Sequence, residues 1–276
     1  MSGGQRLEWH LARAPSSAAR DATRNGIVIA HGFPEGPGAA AVAAQTFPEL
    51  ADRVAQDTGW AALSFSFRGV GRSPGAFSPA GWLEDLRAAV ALLRAEVASV
   101  WLLGFGIGGA LAVRVAADDP IIGGLVLVAA PSDLSGPIAD PASMVRAVRE
   151  TGMVPARGAT LRRPSGGAAG RDADGGPPVP VGGVDDADLD GPDLEIWGSQ
   201  LAAIDPLDAV RAVPPRPLLI VHGSADAAVP VVDARAFADA AEHHGALRVI
   251  PMAGHRLRHD PRAIAIVLGW LERQEA

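Results

Sequence analysis

Three short stretches of the chain place chemistry-bearing residues, or a conspicuous gap, where a reaction would need them. Gly104-Phe105-Gly106-Ile107-Gly108-Gly109 follows the apolar run Val100-Trp101-Leu102-Leu103 and precedes a helical stretch beginning Ala110-Leu111-Ala112-Val113. The middle residue of that strand-to-helix turn is Gly106, which has no side chain to attack anything. Asp226 follows the apolar run Pro217–His222, where a carboxylate could orient an imidazole from an adjacent loop. Gly223-Ser224-Ala225-Asp226 is also sound turn chemistry, so Asp226 has a structural reading beside the chemical one. Gly254-His255 lies about thirty residues further on and could supply that imidazole, although His255 alone is weak evidence among seven histidines. A histidine so oriented is suited to general-base work.

The same glycines also spell G-x-G-x-x-G, as Gly104, Gly106 and Gly109. Dinucleotide sites use that spacing near the start of a βαβ unit, with an acidic residue at the tip of the next strand. Here the next strand pattern ends Val128-Ala129-Ala130-Pro131, so no cofactor is expected. Of the seven histidines, His243, His244 and His259 read as surface residues, and His10 has no supporting context. Their spacing matches no HExxH-type site, so no metal is expected.

Alternating strand and helix signals must hold these residues, and they predict an α/β class with a parallel sheet covered on both faces. The expected strands are Gly26–Ala30, Trp60–Phe67, Val100–Leu103, Ile121–Ala129, Pro217–His222 and Leu247–Ile250. Most are continuous apolar runs, as strands buried on both faces should be. In Pro79–Glu96 the residues Trp82, Leu86, Ala89, Val90 and Leu93 share one helical face, behind an N-cap at Ser78. The last helix repeats the device with Asp260 and Pro261, then Ile264, Val267, Leu268 and Leu271.

One segment departs from the pattern. Residues 155–193 hold nine glycines, six prolines and seven aspartates without one aromatic. Such a stretch buries too little apolar surface to offset its ordering entropy. It reads as a flexible insertion between helices near Pro141–Thr151 and Asp193–Ile204. Sheet signals on both sides complete one core, so residues 1–276 are expected to form a single domain. Residues 1–25 would be an N-terminal extension or first strands.

At 276 residues with net charge −7, the chain is large enough for such a core and disfavours nucleic acid or an anionic membrane as partner. It has no cysteine, hence no disulfide or thiolate metal site. No apolar run approaches the roughly 18 residues of a membrane helix, and residues 1–25 lack a signal-peptide apolar segment. A cytoplasmic protein with a small-molecule ligand or substrate is expected; homo-oligomerisation stays open.

Taken in order, the motifs resemble the α/β-hydrolase superfamily, closely one of its small bacterial branches, over roughly Gly26 to Leu271 apart from the insertion. Ile27-Val28-Ile29-Ala30-His31-Gly32-Phe33 resembles the strand and His-Gly turn that supply one oxyanion-hole amide. Ser66-Phe67-Arg68-Gly69-Val70-Gly71-Arg72-Ser73 resembles the D-x-R-G-x-G-x-S segment, with Ser66 where Asp is usual. The turn at Gly106 resembles the nucleophile elbow G-x-S-x-G with glycine for serine. The resemblance implies Asp226 as catalytic acid, His255 as catalytic histidine, and the amides of Phe33 and Ile107 as oxyanion hole. It implies hydrolase chemistry on a small ester, amide or related acyl compound. His31 then holds its loop, Arg68 and Ser73 brace theirs, and Asp133 is a second candidate acid.

Glycine at an elbow relieves backbone strain, and serine there is justified only by catalysis. Serine-type acyl transfer is therefore expected to be absent. Three readings remain: a pseudoenzyme that binds a ligand or partner, an enzyme in which His255 activates water or a substrate proton, and a nucleophile relocated to Ser132. Only position supports the last. The intact Asp226–His255 pair tilts the balance towards retained chemistry.

Overall fold

The computed structural model describes residues 6–14, 25–33, 39–75, 78–134, 191–213, 215–242 and 244–274. Seven strands form one sheet in the order β1-β3-β2-β4-β5-β6-β7. They are β1 (Trp9–Ala12), β2 (Asn25–Ala30), β3 (Ala61–Phe65), β4 (Ser99–Phe105), β5 (Ile122–Val128), β6 (Leu218–Gly223) and β7 (Gly245–Ile250). Among the described strands only β1 runs antiparallel, pairing Trp9 with Phe65 and Ala12 with Ala62 of β3. The expected mostly parallel sheet with helices on both faces is what forms.

Period-2 alternation divides each central strand between two cores. On β4, Val100 and Leu102 face one helical layer, while Trp101, Leu103 and Phe105 face the other. The first layer holds α2 (Pro79–Arg94), α3 (Ile107–Asp118), α5 (Pro206–Ala212) and α6 (Val231–Ala240), with α4 (Gly191–Ala202) adding Leu201. The second is built by α1 (Ala39–Thr58) and α7 (Pro261–Glu272). Burial on both faces is why these strands read as unbroken apolar runs.

Both predicted caps form. Ser78 Oγ accepts the Gly81 N–H at 3.1 Å, and Asp260 accepts that of Arg262 at 2.9 Å. The apolar faces foreseen on α2 and α7 are the buried ones. Other boundaries shift. Ser66 and Phe67 leave the strand to begin a loop, and β4 and β7 start earlier than their apolar patterns. Helix α3 begins at Ile107 rather than Ala110, because Gly108 and Gly109 fit inside its first turn. A β-carbon on Gly108 would come within 2.4 Å of the His31 carbonyl oxygen, so only glycine lets the helix approach β2 this closely.

The sequence singled out neither β1 nor α1; α1 carries Pro48 within its span, where the ring removes a backbone donor. Helix α4 starts at Gly191, two residues before the expected Asp193. The rest of the 155–193 stretch and the helix expected near Pro141–Thr151 lie outside the described residues. Among the described residues no helix is long and apolar enough to cross a membrane.

Candidate active site

The loops leaving the carboxyl ends of β2, β4, β6 and β7 bring the candidate residues together. After β6, the Asp226 side chain is fully buried, on a turn that brings its carboxylate to the loop after β7. Its Oδ1 accepts the N–H groups of Ala228 and Val229 at 2.9 and 2.8 Å. Its Oδ2 lies 2.8 Å from Nδ1 of His255, on the loop after β7. One side chain thus both closes its turn and meets the His255 imidazole. With a carboxylate accepting at Nδ1, the neutral imidazole carries its proton there and leaves the Nε2 lone pair as the base.

Nε2 faces the turn between β4 and α3. Gly106 holds φ 53° and ψ −129°, a region that penalises side chains. Its N–H donates to the Val128 carbonyl at 2.9 Å, tying the turn to β5. A β-carbon built on Gly106 would stand 3.9 Å from His255 Nε2 and 3.7 Å from Gly32 Cα. The space for a small side chain is thus kept, although the side chain is not there. Gly104 and Gly109 serve packing: a β-carbon on Gly104 would lie 2.4 Å from Gly109 Cα. That contact accounts for the G-x-G-x-x-G spacing without a phosphate.

Ile107, the first residue of α3, presents an N–H with no acceptor inside its own helix. Across the turn, Gly32 presses on the elbow: a β-carbon there would sit 3.0 Å from the Phe105 carbonyl oxygen. Phe33 follows, its ring 5.1 Å from that of Trp82. His31 braces this loop. Its Nε2 accepts the Phe67 N–H at 3.1 Å, so Nδ1 carries the proton and donates to the Gly32 carbonyl at 2.6 Å. Burial lowers its pKa from 6.5 to about 4, keeping it neutral.

The neighbouring loop is braced as the sequence suggested. Arg68 donates to both oxygens of the fully buried Asp85 and to Glu84. Ser73 Oγ donates to the Ser66 carbonyl at 2.6 Å and accepts the Glu8 N–H at 2.9 Å. Ser132 and Asp133 stand past the end of β5, lining a separate cavity; His255 takes Asp226 as its partner. His10 pairs with Asp52, His259 is exposed beside Arg258, and His244 is half-buried. Residue 243 lies outside the described residues.

Sequence reasoning missed His222. This fully buried residue at the end of β6 points Nε2 at the Val229 carbonyl, 2.9 Å away, and lies 3.4 Å from Asp226 Oδ2. It closes the turn that carries the carboxylate. The signal was present: His222-Gly223 ends β6 as His31-Gly32 follows β2. Among the described residues, no group of three or more His, Asp or Glu side chains could hold a metal ion.

The model of the alpha/beta hydrolase family matches residues 27–267. The chain belongs to that family. Solved structures of the same fold include Est1E from Butyrivibrio proteoclasticus with ferulic acid bound: 20% identity, 100% and 96% of the two chains covered, TM-score 0.61. A structure reported with LipS and LipT, two metagenome-derived lipolytic enzymes, is similar at 19% identity, 96% and 97% coverage and TM-score 0.64. A Paleococcus ferrophilus monoacylglycerol lipase follows at 19% identity, 97% and 99% coverage and TM-score 0.62. No curated protein matches this alpha/beta hydrolase in sequence.

Proposed function

We propose that this alpha/beta hydrolase acts on a small ester, amide or related acyl compound without forming an acyl-enzyme. Gly106 occupies the nucleophile position, and a water molecule takes the place of a serine hydroxyl between Gly106 and His255. One observation carries the reading: the 2.8 Å Asp226–His255 hydrogen bond, with Nε2 aimed at the unfilled space over Gly106. A site emptied of chemistry has no need to keep a buried carboxylate on that imidazole.

In the proposed reaction His255 Nε2 takes a proton from water as the oxygen attacks the acyl carbon. The amides of Phe33 and Ile107 hold the tetrahedral oxyanion. Asp226 stabilises the imidazolium, which returns its proton to the departing alkoxide or amine as the C–O or C–N bond breaks. Carboxylic acid and alcohol or amine leave. The oxyanion hole and binding alone retain roughly 10³–10⁴-fold acceleration in proteases stripped of triad members.

A fluorophosphonate probe tests the absence of a serine nucleophile. Intact-protein mass spectrometry is expected to find the chain unlabelled; stoichiometric labelling rejects the proposal. A pseudoenzyme instead predicts ligand-dependent thermal stabilisation with no turnover on a broad ester and amide panel.

A further inference from the structure

His222 is a fully buried imidazole beside the candidate site, and its two ring nitrogens are in unequal surroundings. Nε2 lies 2.9 Å from the Val229 carbonyl oxygen and 3.4 Å from Asp226 Oδ2. Both neighbours only accept hydrogen bonds, so the ring carries its proton on Nε2 and donates it to Val229. Nδ1 is sealed from solvent and finds no hydrogen-bond partner among the described residues.

A buried polar atom left unpaired costs free energy. Packing alone would be served by leucine, as at Leu218 and Leu219 earlier in the same strand. What the imidazole adds is the donor at Nε2, and the residue it holds is Val229. The Val229 backbone is engaged on both sides: its carbonyl accepts from His222, and its N–H donates to Asp226 Oδ1 at 2.8 Å. Ala228 gives Oδ1 its second donor at 2.9 Å. With Oδ1 so occupied, Oδ2 is turned to His255 Nδ1, 2.8 Å away. Pro230 and α6 follow directly, so the His222 bond fixes this turn between the end of β6 and the start of α6.

We infer that His222 is a positioning residue for the carboxylate. By holding Val229 it keeps Asp226 aimed at His255, and through Asp226 it keeps the His255 proton on Nδ1. The inference rests on the reading of Asp226 and His255 as the working pair, and adds to that pair the group that sets its geometry.

Three substitutions separate this role from packing. In His222→Gln the amide nitrogen reaches as far as Nε2, in His222→Asn it stops short near the place of Nδ1, and His222→Leu keeps bulk without a donor. Proton–nitrogen correlation spectra of the nitrogen-labelled full chain at alkaline pH report the tautomer of His255, whose signals are assigned by their loss in His255→Ala. The Nδ1–H form is expected in the unaltered protein and in His222→Gln, with a shift towards Nε2–H in His222→Leu and His222→Asn. On any ester that is turned over, kcat is expected to fall about tenfold or more in the Leu and Asn variants, with KM little changed, and to be rescued in His222→Gln. If His222→Leu fails to fold, the contrast between Gln and Asn decides. A protein without turnover contradicts water activation, and the tautomers still decide the role of His222. An unshifted His255 tautomer in the folded Leu or Asn variant, or a Gln variant shifted as far as they are, overturns the inference.

Discussion

His255 Nε2 lies 3.9 Å from the point where a β-carbon on Gly106 would stand. Space therefore does not exclude a serine at this position; the backbone penalises one. At φ 53° and ψ −129° a side chain costs about 1–3 kcal/mol. Gly106→Ser is expected to lower stability by about that amount and to gain stoichiometric fluorophosphonate labelling, because its hydroxyl falls within reach of the imidazole. A folded, unlabelled Gly106→Ser protein contradicts the placement of Gly106.

Asp226 fixes which imidazole nitrogen is basic. Asp226→Asn offers Nδ1 an amide in place of a carboxylate and can hold the wrong tautomer. Steady-state kinetics on any substrate found is expected to show a loss of about 10²–10⁴-fold, the range of general-base contributions. An Asp226→Asn rate within twofold of the original contradicts the pairing's role.

His31 ties stability to pH. Burial lowers its pKa from 6.5 to about 4. Between those values the unfolded chain binds a proton that the folded chain refuses, so stability rises with pH. The contribution is whole above pH 6.5, declines as pH falls, and levels off below about 4. At roughly 1.4 kcal/mol per pH unit the loss is about 3 kcal/mol. Denaturant titrations across this window should give a slope shallower by about one proton in His31→Gln; equal slopes contradict a buried neutral His31.

Arg68 and Asp85 set the loop that follows β3. Asp85 is fully buried and receives both the guanidinium and the backbone N–H of Arg68. Arg68→Met leaves that carboxylate with the backbone donor alone, which should cost about 3 kcal/mol. A chemical-denaturation difference below about 1 kcal/mol contradicts this.

The sheet and the main site were legible because each announces itself locally. Strands buried on both faces are apolar throughout, and Ser78-Pro79 and Asp260-Pro261 mark helix starts by their own capping chemistry. Asp226 and His255 each follow a recognisable strand end. Helix α1 was hidden because Pro48 interrupts the helical signal, and β1 because four residues carry too little pattern. His222 escaped because its role arises only once the chain turns back and sets Val229 against it. The start of α3 was misplaced because glycines at 108 and 109 look like loop until the end of β2 is seen packed against Gly108, and Ala130 and Gly104 against Gly109.

The most direct measurement compares turnover of a panel of short-chain esters by the unaltered protein and by His255→Ala. Side-chain exposure of 22% at His255 allows that substitution without opening the core. Turnover without a pre-steady-state burst, falling at least about 100-fold in the variant, is the predicted result. Turnover equal in the two proteins, or undetectable on every ester by the unaltered enzyme, would contradict a water-activating Asp226–His255 pair.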